Sequence, residues 1–231
     1  MSGLRCDACP ARDQAACAAL SDTERAQLAA IGTQRTLAAG EMLFAPGDDN
    51  GCATLISGVL KQVRTDADGV ERVVALIHPA GFVGELFTPS DECEVRALTD
   101  ARLCLFPRAA YVRMVEDNPR LAMGVARRAL KASAESRALL DLIGRRRTEA
   151  RVAGLLLALA DAAGREPCQP AERFDLPLSR GDMAALLGTT IETVSRQLGA
   201  LESKALIKRV GRRTLYICDP AGLAAVAGDT D

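Results

Sequence analysis

The sequence predicts an α+β chain in three parts: an N-terminal antiparallel β-roll, a long helix, and a C-terminal winged helix-turn-helix. Three observations carry that reading. Between Thr36 and Pro107, short β-prone runs alternate with turn signals, the texture of an antiparallel sandwich or barrel. Beyond Pro119, apolar or small residues recur every three or four positions from Val125 to Ile143. Near the C-terminus, two short amphipathic segments meet at Gly188.

The 231 residues, 48% hydrophobic, suffice for one large or two small domains with real cores. The longest apolar run, around Val152 to Ala160, falls short of the ~18 residues that a membrane span needs. The N-terminus shows no apolar secretory region, so the expected location is cytoplasmic, away from membranes. There, eight cysteines are metal or redox candidates rather than a disulfide framework. The single histidine, His78, sits at an Ile-His-Pro strand end and is read as structural. It argues against a His-rich metal site or a Cys/His catalytic pair. Tryptophan is absent and aromatics make up 3%, which argues against an aromatic-lined sugar or single-strand groove. No Ser/His/Asp set, Gly-rich phosphate loop or paired-carboxylate site emerges, so an enzyme is not expected.

Residues 1–20 form a cysteine-rich arm in which Cys6, Cys9 and Cys17 are spaced C-x2-C-x7-C. Few large apolar residues accompany them, so the cysteines themselves are expected to order the segment. The two-residue gap lets both thiolates face one centre. Soft thiolates favour zinc or iron–sulfur chemistry, and three are one short of the usual four. Cys52, Cys168 and Cys218 stand alone; Cys52 and Cys218 read as buried packing residues, Cys168 as a loop residue.

Residues 21–107 hold a helix over 21–35, opened by the capping box Ser21-Asp22-Thr23-Glu24, and then the β-roll. Its turns are marked by Gly40, Pro46-Gly47-Asp48, Ser57-Gly58, Asp66 to Gly69, Pro79 to Gly81 and Pro89 to Asp91. Residues 108–147 read as a short helix over Arg108–Glu116 and a long one with Pro119 in its first turn, where proline is tolerated. Val125, Ala129, Ala132, Ser136, Leu139 and Ile143 form a heptad seam. Small residues in its first half let two helices approach closely; Leu130, Leu140 and Leu142 form another apolar edge. Gly144 and Arg145 to Arg147 mark a hinge.

Residues 148–231 begin with a supporting helix through Val152, Leu155, Leu156 and Leu159. Ser179 caps the next helix with Asp182 at capping-box distance, and Gly188 ends it. The second helix starts at Thr189 or Thr190. Ile191, Val194, Leu198 and Leu201 form its buried face, leaving Glu192, Ser195, Arg196 and Gln197 pointing elsewhere. These suit base edges: Arg donates twice to guanine, Glu accepts from cytosine, and Ser fits either. Lys204, Lys208, Arg209, Arg212 and Arg213 surround Gly211 in a hairpin with a basic tip. From Arg173 to Arg213, eight Lys/Arg against four Asp/Glu leave +4 in a chain of net charge −1. Local basicity of this kind is the footprint of DNA reading.

The run Thr189 to Arg196, with Leu178 to Asp182 before it, resembles the winged helix-turn-helix of the CRP/FNR family of bacterial transcription regulators. Glu192, Ser195 and Arg196 are spaced as in its FNR branch; the cyclic-AMP branch usually has Arg where Ile191 stands and Gly where Ser195 stands. The resemblance implies a homodimer that reads an inverted repeat of TTGAT-like half-sites, with Thr190, Glu192, Ser195 and Arg196 at the DNA, Arg212 and Arg213 at phosphates, and RNA polymerase as partner. It also implies a β-roll of the cyclic-nucleotide-binding type, through Gly40-Glu41, Gly47-Asp48, Ile56 and Gly58, and Gly81 with Gly84-Glu85.

The FNR branch binds an oxygen-labile 4Fe-4S cluster through an N-terminal cysteine group and one ligand in the roll. Ala97-Leu98 to Cys104 and Pro107 match the stretch holding that ligand. The implied set is Cys6, Cys9, Cys17 and Cys104, with Cys93 in a polar loop as competitor. In the cyclic-AMP branch an Arg-Ser pair holds the phosphate; aligned on Arg96-Ala97, this chain has Asp91 and Glu92 there. At about 4 Å each such pair repels a phosphate by roughly 4 kcal/mol, so cyclic nucleotide is not the expected ligand. An effector-controlled regulator and a zinc-stabilised module remain the alternatives.

Overall fold

A computed structural model describes residues 4, 6–48, 51–87, 92–164 and 171–228. They form two compact units, Met1–Ser136 and Arg137–Asp231, divided inside the long helix rather than at Gly144. The expectations for Cys168, Asp91 and the turn at 89–91 lie outside the described residues.

In the first unit a 3-10 turn, Ala16–Ala19, leads to α1 (Asp22–Ile31). Its capping box is reciprocal: Ser21 Oγ accepts from the Glu24 amide at 3.3 Å, and Glu24 Oε2 accepts from the Ser21 amide at 2.7 Å. The helix ends four residues earlier than expected. Gly32 breaks it, and Thr33, stiff at Cβ, already belongs to a strand.

Eight strands follow: β1 (Thr33–Leu37), β2 (Met42–Phe44), β3 (Gly51–Ser57), β4 (Leu60–Thr65), β5 (Glu71–Ile77), β6 (Phe82–Val83), β7 (Glu94–Ala97) and β8 (Ala101–Pro107). They pair antiparallel in two sheets, ordered β1-β8-β3-β6 and β2-β7-β4-β5. Leu37, Leu55 and Leu103 from the first sheet and Leu60, Val95 and Ala97 from the second share one core. The expected roll is present.

Helix α2 (Arg108–Asp117) and helix α3 (Pro119–Gly144) are separated by Asn118, whose Oδ1 accepts from the Leu121 amide at 3.0 Å. Leu121 and Gly124 are buried. From Ala126 to Asp141 almost every residue is exposed, Leu130 at 72% and Leu140 at 69%.

The second unit contains α4 (Thr148–Ala163), β9 (Arg173–Asp175), α5 (Arg180–Leu187), α6 (Ile191–Ser203), β10 (Ile207–Val210), β11 (Thr214–Ile217) and α7 (Pro220–Gly228). The basic hairpin is β10–β11, and β9 adds a third strand that the sequence reading did not include. Val152 and Leu156 of α4, Leu187 of α5, Leu198 and Leu201 of α6, Leu215 of β11 and Leu223 of α7 are all buried. Two expectations fail. Ile191 is 51% exposed, because as the first residue of α6 it lies before the helix meets the core. Cys218 is exposed, one step past the buried Ile217 at the end of β11.

Candidate functional site

Strand β8 alternates. Ala101, Leu103 and Leu105 face the core of the roll, so Cys104 shares the opposite face with Arg102 and Phe106. Cys104 lies across from Gln34 on β1 and Thr54 on β3. All three line a cavity of about 430 Å³, and so do Cys6, Cys9 and Cys17 from the arm. The Cys9 amide donates to the Cys6 carbonyl at 3.3 Å and the Arg12 amide to the Cys9 carbonyl at 3.1 Å. These turns bring the first two thiols round to the same side as Cys17, in the 3-10 turn. Phe106 and Tyr111, ring centroids 5.1 Å apart, complete an apolar wall.

Burial pushes the Cys104 thiol up to about 12, with Cys9, Cys6 and Cys17 adding to the rise. Cys17 is raised by burial, then by Cys9 and Cys6; Cys6 is raised by burial, then by Cys9. Cys6, Cys17 and Cys104 are thus each held towards the neutral thiol, and bound positive charge is what would offset that. Among the described residues no aspartate, glutamate or histidine lines the cavity, so the donor set is all thiol. Nor do three His, Cys, Asp or Glu side chains anywhere gather closely enough for a single metal ion among those residues.

Cys93, the competing ligand, is 7% exposed and does not line this cavity. It lies in the loop segment just before β7, as expected, but its side chain turns inward with the buried Val95 and Ala97. Cys52 is buried, its thiol pushed up to about 12 by desolvation.

The arm is held by more than its cysteines, contrary to expectation. Ala11 and Ala15 are buried against Ala80, with Cys9 and Cys17 beside them. Ala16 and Leu20 join Leu28, Tyr111 and Leu121. At Gly124 of α3, a Cβ would overlap the carbonyl oxygen of Ala16, so arm and helix meet backbone to backbone. In the stretch aligned with a phosphate clamp, Glu92 pairs with Arg64 at 3.4 Å, and Arg96 is engaged by Glu94 at 2.5 Å.

In the second unit, Ser179 and Asp182 form a reciprocal capping box on α5. Gly188, at φ +61°, takes the left-handed conformation that turns the chain into α6. Thr190 caps α6: its Oγ1 accepts from the Thr193 amide at 3.2 Å and lies 3.1 Å from the Thr193 hydroxyl. Glu192 and Arg196 are exposed on α6, and the Glu192 carboxyl is held below its usual range by hydrogen bonds at the helix start. Ser195 is half-buried, with Arg180 Nη1 of α5 at 3.5 Å from its hydroxyl. Arg212 and Arg213 are exposed at the hairpin tip, after Gly211 at φ +64°. Arg209 is not free: its Nε and Nη2 donate to Glu202 Oε2 at 3.0 and 2.6 Å.

Residues 150–226 match the family model of the Crp-like helix-turn-helix domain, and residues 34–118 that of the cyclic nucleotide-binding domain. The chain is 35% identical over 230 residues to the transcriptional activator protein FnrL of Cereibacter sphaeroides, covering 97% of this chain and 92% of that protein. It is 28% identical to the transcriptional activator protein anr of Pseudomonas aeruginosa, covering 84% of this chain and 80% of that protein. The solved structure of FixK2 from Bradyrhizobium japonicum has the same fold, with TM-score 0.76 and 21% identity over 87% of this chain and all of that one.

Proposed function

The chain belongs to the CRP/FNR family of transcription regulators, and from that premise we propose that a 4Fe-4S cluster held by Cys6, Cys9, Cys17 and Cys104 makes its DNA binding responsive to oxygen. The observation that carries this reading is the convergence of those four thiols on one cavity. The regulatory, non-enzymatic class follows from the family; the sensing chemistry is the proposal. When bound, the cluster supplies an oxygen- and redox-sensitive centre. Cys104, fixed in β8, is the anchor on the roll, and the other three ligands tie the arm to it. An anchored arm holds Ala16 against Gly124 of α3, whose exposed Ala- and Leu-bearing continuation pairs with a second copy. An arm without its anchor loosens that hold, and the dimer with it.

The dimer sets two copies of α6 about 34–36 Å apart, in successive major grooves of an inverted TTGAT-like repeat. Arg196 reads the half-site guanine, Glu192 and Ser195 flank it, Thr190 shapes the start of the helix, and Arg212 and Arg213 hold phosphates. RNA polymerase is the protein partner.

Protein purified without oxygen is expected to be brown, to contain iron and sulfide in cluster stoichiometry, and to bleach in air. Cys104→Ala should lose the iron, whereas Cys93→Ala should keep it. A colourless protein carrying zinc would sink the proposal and leave the zinc-stabilised module standing. The match of residues 34–118 to a cyclic nucleotide-binding domain favours one second reading, control by a bound effector. Titration calorimetry with cyclic nucleotides decides it; heat of binding would replace the cluster reading with that one.

A further inference from the structure

We infer that Arg25 is the buried counter-cation of the four-cysteine centre, set in the cavity wall to offset the negative charge that the thiolates bring. This rests on the cluster reading above. Arg25 sits on α1 and is 5% exposed. Its Nη2 donates to the Leu20 carbonyl at 2.7 Å, which closes the end of the arm, and its Nη1 donates to Asp22 at 2.9 Å. Its Nε is buried and has no acceptor among the described residues. The Asp22 side chain is 89% exposed, so water screens most of its charge.

A guanidinium cannot shed its proton. Buried beside neutral thiols, with its single carboxylate partner out in solvent, it is an uncompensated charge, a costly arrangement in a dry site. An anion in the cavity removes that cost. Four thiolates outweigh the positive charge of an iron–sulfide core, so the bound centre is a net anion, and one-electron reduction makes it more so. The other guanidiniums in the wall are placed differently. Arg12 pairs with Asp22 at 3.2 Å with its side chain 35% exposed, and the exposed Arg102 donates to Ser57 Oγ at 3.2 Å. Burial raises the thiols of Cys6 and Cys17, and the charge of Arg25 pulls both back.

The test uses full-length protein reconstituted with iron and sulfide under argon and titrated with dithionite, which supplies the electron. Net charge at the centre sets the potential of such clusters. Arg25→Gln keeps a donor for Leu20 but removes the charge, and should disfavour reduction at least tenfold, a negative shift of about 59 mV for one electron. Arg25→Lys should restore most of the potential, and Arg12→Gln should leave it near wild type. An unchanged potential in Arg25→Gln, or an equal shift in Arg12→Gln, overturns the assignment. So does loss of the iron from both Arg25 variants, which would mean that the side chain holds the arm by its hydrogen bonds alone. A wild-type protein without iron fails the cluster reading itself and takes this inference with it, and that failure is visible before any variant is made.

Discussion

Gly124 of α3 and Ala16 of the arm meet through bare backbone, the Ala16 carbonyl occupying the space of a Cβ at position 124. Glycine inside a helix costs about 1 kcal/mol relative to alanine, so Gly124→Ala would stabilise an isolated helix. Here it should do the reverse. The added methyl must displace Ala16, and overpacking of this kind costs about 1–3 kcal/mol. Thermal unfolding should show the loss, and alkylation of Cys17, the next residue, should speed up. A variant as stable as the parent, with Cys17 equally protected, would show that the arm does not bear on the helix here.

Arg196 is exposed on α6, one turn after Glu192. Replacing it with alanine should cost about 1–3 kcal/mol of discrimination at one half-site base pair. Competition binding with all four bases at each half-site position measures this. Undiminished preference would remove α6 from its reading role.

Three arginines of the hairpin separate into two kinds. Arg212→Ala and Arg213→Ala should weaken binding to all sequences about equally and each lower the salt slope by about one unit. Arg209→Ala should leave the slope alone, because Arg209 is committed to Glu202; it should instead cost up to about 1 kcal/mol of stability. Binding isotherms over a salt series, beside denaturant midpoints, distinguish the two.

The Glu24 carboxyl is held down to about 2 from its ordinary 4.5, first by the Ser21 amide and hydroxyl and then by Asn118 at the start of α3. A depressed folded-state pKa means that stability is contributed in full above the ordinary value and lost as pH falls through the folded one. The stability gap between the parent and Glu24→Gln should therefore be open above about pH 4.5 and close by about pH 2. Urea midpoints across that range measure it. A gap independent of pH would mean that the charge of Glu24 plays no part in joining α1 to α3.

Local signals were the legible ones. Ser21 and Ser179 announced their capping boxes, Gly188 its left-handed turn, and Pro119 a helix start, because each acts within a few residues. Alternation was legible only where a strand was already assigned. Cys93 is a loop residue with carboxylate neighbours, yet the period of two that it shares with Val95 and Ala97 turns it inward. Ile191 fitted the stripe of α6 but precedes the point where that stripe reaches the core. The three residues of β9 have only Phe174 buried and carry too little pattern to announce a strand. Least legible was the seating of the arm. Apart from Leu20 its buried anchors are alanines, and their partners Ala80 and Gly124 lie far along the chain.

That choice of anchors has a thermodynamic result. Buried apolar area stabilises at about 25 cal/mol per Å², and an alanine methyl offers little of it. The segment carrying Cys6, Cys9 and Cys17 therefore belongs to the low end of the protein's local stabilities. It can open while the β-roll beneath it stays folded, in an event too small to register as a separate melting transition. Amide hydrogen exchange from Ala16 to Leu20 would register it directly. Those few protons should exchange slowly when the cysteines are cross-linked through a shared centre, and fast when they are not.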